Sequence, residues 1–434
     1  MSRLIRNRNS FVARMAVLIF VALMSSGTSF AYSVLTHEEI VDLAWTPEIR
    51  PLLLRRFPDL TEDQITEAHA YAYGGSVIQD LGYYPFGEKA FSDLVHYVRS
   101  GDFVVELLRQ SQDADEYAFA LGALSHYTAD INGHPAVNQA VALHYPKLRA
   151  KFGKSVRYAQ DTTAHLKTEF GFDTLQVAKN RYPSDQYHSF IGFQVALPLL
   201  ERTFPIVYGL QLKDVLAHED LAVGSYRFSI SRLIPQMTKV ALQTHKKDLM
   251  QETPNFAKRK FLYRLSRSDY ERQWGKTYTK PNFGTHVISA LLQYMPKVGP
   301  LKGLGFDNPT AQTENLYITS INATVDSYLA LLEQVRAGTL ALPNCDLDDG
   351  MTTKAAEYTL ADEAYASLLA KLAASKFDAT TPQLRTNILA FYSDLSLPID
   401  TRKNAARWQV VLTDLGQLQA AVPLRTGQRS TNSD

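Results

Sequence analysis

The sequence predicts an all-α protein, on three observations. From residue 32 onward, apolar residues recur at three- and four-residue spacing through most long stretches, as in helices with one buried face. Alternating apolar and polar runs, which would mark strands, are scarce. Glycine and proline gather between the periodic stretches: GYYPFG at 82–87, TPNF at 253–256, KVGPLKGLG at 297–305 and LPNCDLDDG at 342–350.

Taken in order, residues 1–31 read as an export leader. Arg3, Arg6, Arg8 and Arg14 form a basic start, and Met15 to Met24 is an apolar run too short to span a bilayer. Ser29 and Ala31 place small residues where a leader peptidase cuts. The mature chain is therefore expected to begin at Tyr32, in a periplasm or outside the cell. Helices are predicted over 62–80, 89–110, 114–131, 155–170, 217–250, 320–337, 354–375, 383–394 and 400–420. Thr36 with Glu39, and Thr61 with Gln64, have the spacing of capping boxes. TGQRSTNSD at the end reads as a disordered tail. By chemistry the mature chain divides into a working domain, 32–250, and a helical C-terminal region of unknown role, 251–434. The latter opens on the basic stretch AKRKFLYRLSRSDYERQWGK and holds one histidine, His286.

Composition narrows the chemistry. With 434 residues, 45% of them apolar, the chain can bury one large core or two ordinary ones. A formal charge of +1 gives no global attraction to nucleic acid or to an anionic membrane. The single cysteine, Cys345, excludes an intrachain disulfide and a CxxC zinc site, so any metal must be held by histidines and carboxylates.

Residues of that kind converge in LSHYTADINGHPAVNQ, where His126, Asp130 and His134 stand four apart and would share one helix face. Asp80 in GGSVIQDLGYY, His96 in DLVHYVRS, and His165 with Glu169 in TTAHLKTEF extend the set, and His37 lies near the expected new N-terminus. One histidine on a helix is more often a core or capping residue, and one His-x-x-x-Asp pair an ordinary ion pair. Their co-occurrence is what points to metal. His69, His144, His188, His218 and His245 have no such partners and read as structural.

The order of these residues resembles the zinc-dependent phospholipase C and P1 nuclease superfamily. Its pattern is an N-terminal residue with a nearby His, then Asp, His, HxxxD, His, and finally HxxxE or HxxxD. Here these are Tyr32 and His37, Asp80 and His96, HYTAD, HPAVN, and HLKTE, over roughly 32–175. The resemblance implies a helical core with about three zinc ions (Zn2+) in a cleft. Asp80, His96, His126 and Asp130 would hold one, and His134, His165 and Glu169 a second. Asp130 would bridge to a third, held by His37 and by the α-amine and carbonyl of Tyr32. It further implies phosphodiester hydrolysis by zinc-activated hydroxide, with Asp80 able to take the proton. Tyr83, Tyr84 and Phe86, just after Asp80, are candidates for an apolar or cation–π wall around a choline-like group, against plain loop packing.

Three departures from the pattern stand out. The expected first residue is Tyr32 where the family has Trp. His134 follows Asp130 by four residues where the family usually has six, which implies a tighter loop. The region after 250 lies outside the family core. The leading expectation is a secreted phospholipase C acting on phospholipid head groups, with transient membrane-surface contact and no stable protein partner. The alternatives are a P1-like single-strand nuclease, which the step from Tyr32 to His37 favours and Glu169 disfavours, and a non-catalytic binding protein. The last is disfavoured because a dead site has no reason to keep carboxylates that repel one another.

Overall fold

A computed structural model describes residues 34–178, 192–230, 234 and 308–421. The protein is all-α; among the described residues the only β pairing is an isolated antiparallel bridge between Cys345 and Thr352. Tyr32 and the leader lie outside the described residues, as does most of the predicted helix 217–250 beyond residue 230.

Helix α1 (Val34–Ala44) is buried along nearly its whole length and carries His37. Thr36 does not cap it. The hydroxyl already lies inside the helix, where it donates to Asp173 at 2.7 Å and meets the Tyr317 hydroxyl at 2.6 Å. A π turn (Trp45–Ile49) leads into α2 (Arg50–Arg56). Helix α3 (Glu62–Gly75) starts at the expected box, with Thr61 and Gln64 each capping the other, and Glu62 and Asp63 face the positive end of the helix dipole. It stops short of the predicted end at 80. A separate 3-10 turn, Ile78–Tyr83, carries Asp80.

The predicted helix 89–110 is likewise two, α4 (Lys89–Tyr97) and α5 (Ser100–Gln110), broken at Arg99, whose φ is +53°. Helix α6 (Ala114–His144) is the central element and runs well past the predicted end at 131. Pro135 lies inside it and lacks the N–H that the Ile131 carbonyl would accept, but the helix continues through this gap. Helices α3 and α6 touch backbone to backbone. A Cβ on Gly75 would lie 1.9 Å from the Phe119 carbonyl, and one on Gly122 2.1 Å from that of Ala72. Glycine is required for this approach, which sets Asp80 beside His126.

Next come α7 (Pro146–Phe152), α8 (Thr162–Ala178), α9 (Leu197–Tyr208) and α10 (Glu219–Phe228). After the undescribed stretch follow α11 (Ala311–Ala337), α12 (Thr359–Ala374), α13 (Pro382–Phe391) and α14 (Ala405–Ala420). One apolar cluster runs from Val34 to Leu418. Tyr328 of α11 donates to the Leu121 carbonyl of α6 at 2.8 Å, and Tyr317 stacks on Phe172 of α8 at 4.5 Å. No helix among the described residues is long and apolar enough to cross a membrane.

Candidate metal centre

Four-residue spacing on α6 stacks His126, Asp130 and His134 on one face, about 6 Å of helix rise per step. The step from Asp130 to His134 is made by continuous helix, not by the tighter loop that the shortened spacing implied. Around this face the fold sets His37 from α1, Asp80 from the 3-10 turn, His96 from the last turn of α4, and His165 and Glu169 from α8.

Three groups of ligand atoms result, each within 4.8 Å: His37 with His126 and Asp130; Asp80 with His96 and His126; His134 with His165 and Glu169. Asp130 is the hub. Its Oδ2 lies 3.0 Å from His126 Nε2 and 3.5 Å from His96 Nε2, and its Oδ1 lies 3.7 Å from His37 Nε2. Asp80 Oδ1 lies 3.5 Å from His96 Nε2, and Glu169 Oε1 lies 2.7 Å from His165 Nε2. Every one of these residues is buried, at 0–1% exposure. His134, whose spacing departs most from the family pattern, is gathered with the others. Tyr32 lies outside the described residues.

Two histidines are locked in one tautomer. His96 donates Nδ1–H to the Ser92 carbonyl at 2.8 Å, and His126 donates Nδ1–H to the Ser76 carbonyl at 2.9 Å. A carbonyl only accepts, so the proton sits on Nδ1 and the Nε2 lone pair points into the centre.

The fit to zinc follows from polar atoms left over. Both oxygens of Asp80, Asp130 and Glu169, both ring nitrogens of His165, and Nε2 of His126 and His134 are buried without a hydrogen bond among the described residues. Buried polar atoms without partners cost about 1–3 kcal/mol each, so a fold does not assemble ten at one point without a ligand to satisfy them. The donor set, imidazole and carboxylate without thiolate, suits zinc.

Electrostatics agree. Burial first, and the neighbouring carboxylates second, push Glu169 well above the usual carboxyl range, while burial and then His134 push His165 well below the usual imidazole range. At neutral pH and without a cation, both shifts favour the uncharged forms. Burial also raises Asp80. It would raise Asp130 too, but His126, and then His96, hold that carboxyl well below its ordinary value. Burial pulls His96 down, and the carboxylates of Asp130 and Asp80, each 3.5 Å from Nε2, outweigh it and raise it. Divalent cations would remove the repulsion among Asp80, Asp130 and Glu169.

The Tyr83 ring lies 5.9 Å from that of His96, and its buried hydroxyl has no partner among the described residues. Tyr84 is buried edge-on against Tyr226 at 5.0 Å, while Phe86 is 43% exposed, with φ at +64°.

One acidic residue at the centre escaped the sequence reading. Asp348, in the loop between α11 and α12, places Oδ1 3.3 Å from His134 Nδ1 and is fully buried. DLDDG has the composition of an ordinary turn, and no local signal separates it from one.

No curated protein and no solved structure matches the chain. Residues 36–217 match the family model described as zinc dependent phospholipase C, a span that contains the three groups of ligand atoms.

Proposed function

We propose that the chain is a secreted phospholipase C that holds about three zinc ions and cleaves phospholipid head groups. The observation that carries this reading is the convergence of eight buried, ligand-type side chains, Asp130 among them, inside the segment of family likeness. His96, His126, Asp80 and Asp130 would hold one ion and His134, His165 and Glu169 another. His37 and Asp130 would hold the third, completed by the amine of Tyr32 after leader removal. In support of the last assignment, His37 lies in the first turn of α1, which begins at Val34, two residues after Tyr32.

Zinc bound there would supply Lewis-acid stabilisation of the phosphoryl oxygens and a water acidic enough to ionise near neutral pH. Asp80, buried beside His96, takes the proton as the water oxygen attacks phosphorus. The P–O bond to the glycerol breaks, and the departing oxygen is protonated to give diacylglycerol and the phosphorylated head group. The Tyr83 hydroxyl donates to a phosphoryl oxygen, and the Tyr83, Tyr84 and Phe86 stretch borders the head group. Contact with the membrane surface is transient.

The test is a parallel assay of mature protein on phosphatidylcholine vesicles and on single-stranded DNA, with and without a zinc chelator. Chelator-sensitive release of phosphocholine is expected. Cleavage of DNA alone would move the reading to a nuclease, and no zinc uptake with no hydrolysis would end it.

A further inference from the structure

We propose that Asp348 is a positioning residue of the metal centre: its carboxylate fixes the ring of His134 so that Nε2 presents its lone pair to zinc. The inference rests on the zinc reading above.

The geometry follows a rule already visible in the site. His96 and His126 are each held through Nδ1 by a carbonyl, leaving Nε2 for the centre. His134 has no carbonyl there. It has the Oδ1 of Asp348 at 3.3 Å from Nδ1. A carboxylate behind a histidine fixes tautomer and ring angle and raises the basicity of the ligating nitrogen.

Asp348 is itself held. Tyr97 donates to its Oδ2 at 2.9 Å and Tyr358 donates to the same oxygen, so Oδ1 alone is left for His134. The loop is pinned to the ligand-bearing helices at several points. Asn138 of α6 donates to the Asp348 carbonyl at 3.0 Å, and Leu347 N–H donates to the His96 carbonyl at 3.2 Å. Asp346 accepts from the Asp348 N–H at 3.0 Å, and Gly350 lies on the Ile131 carbonyl that Pro135 leaves without its helical donor. A segment remote in sequence thus supplies a carboxylate to a centre whose other members all precede residue 170.

The experiment uses full mature protein with Asp348→Asn. The asparagine oxygen can keep both tyrosine donors, and its amide then faces His134. The imidazole must accept at Nδ1 and carry its proton on Nε2, where it cannot ligate. Zinc titration against a chromogenic chelator should show one ion bound about 10–100-fold more weakly, with the others unchanged. The cobalt-substituted protein should show an altered visible spectrum. Adding Asp348→Asn to His134→Ala should weaken zinc no further. Independently of any variant, nitrogen NMR of zinc-loaded wild-type protein should show His134 protonated on Nδ1 and metallated on Nε2.

Unchanged zinc affinity in Asp348→Asn, or His134 metallated on Nδ1, overturns the proposal, as does loss of an ion in Asp348→Asn that His134→Ala retains. A wild-type protein that binds no zinc overturns the proposed function along with it. A wild-type protein that binds zinc normally beside an unaffected variant overturns only the role of Asp348.

Discussion

Replacing Asp130 with asparagine keeps the shape of the side chain and removes its charge and one oxygen. The structure lets the cost be worked out. Oδ1 faces His37, and Oδ2 faces His126 and His96, so the two oxygens serve different groups of ligands. An asparagine has one oxygen, so one group loses its oxygen outright and the other keeps a neutral one. Loss of an outer carboxylate alone weakens a metal site by up to about 100-fold, which serves as a floor here. If two ions are weakened by that factor and both are needed, hydrolysis falls about 10,000-fold, or about 5 kcal/mol. Glu169→Gln, which touches one group, should cost about the square root of that, near 100-fold. The assay is steady-state hydrolysis with zinc content by elemental analysis, on protein whose helicity is confirmed by circular dichroism. Full zinc content and rate in Asp130→Asn, or a larger loss in Glu169→Gln than in Asp130→Asn, would refute a shared role for Asp130.

Further outcomes follow from other residues. A chain beginning with methionine before Tyr32 should lose one zinc and much of its rate, yet remain more active than His126→Ala; equal activity to the authentic mature chain would remove Tyr32 from the ligand set. In zinc-free protein, Glu169→Gln should raise the melting temperature at pH 7–8: a carboxyl raised in the fold opposes folding increasingly as pH climbs above its unfolded value near 4.5, so the gain should shrink as the pH is lowered toward that value. Calorimetry showing the same gain at pH 4 and pH 8 would contradict this. Gly350→Ala puts a Cβ 2.5 Å from the Ile131 carbonyl at a φ of +73° and should destabilise the fold by about 1–3 kcal/mol, read from urea unfolding. Thr61→Ala removes the hydroxyl half of the cap on α3, leaving the Gln64 side chain on the backbone N–H of residue 61, and should cost about 1 kcal/mol with no change in zinc content.

Much of the centre was legible because its geometry is local. A four-residue step on a helix places two side chains together regardless of the rest of the fold, so His126 with Asp130, and His165 with Glu169, could be read directly. The breaks in helices were harder. Nothing in DLVHYVRSGDF says that Arg99 turns left-handed, and the helix predicted to end at 131 runs on through Pro135 to His144. Thr36 had the spacing of a cap, but its partners, Asp173 and Tyr317, lie on other helices. Asp348 was invisible for the same reason: Asn138 and Asp348 are 210 residues apart, and only packing brings the loop onto α6.

The anchoring of His126 has a consequence for how the centre fills. That imidazole is common to two of the three groups, yet its Nδ1 is committed to Ser76, so it has one lone pair to give. Two ions cannot both take it. In the proposed three-zinc centre, whichever vertex captured it first would leave the other coordinatively poorer, and that deficit would have to be met by an atom from elsewhere in the chain. A calorimetric isotherm should therefore show inequivalent steps, with the weakest uptake belonging to the position nearest His37. Zinc availability would set the fraction of fully loaded molecules through that one step, making the scarcest ligand, rather than the tightest site, the control point for how much active protein a given metal supply can sustain.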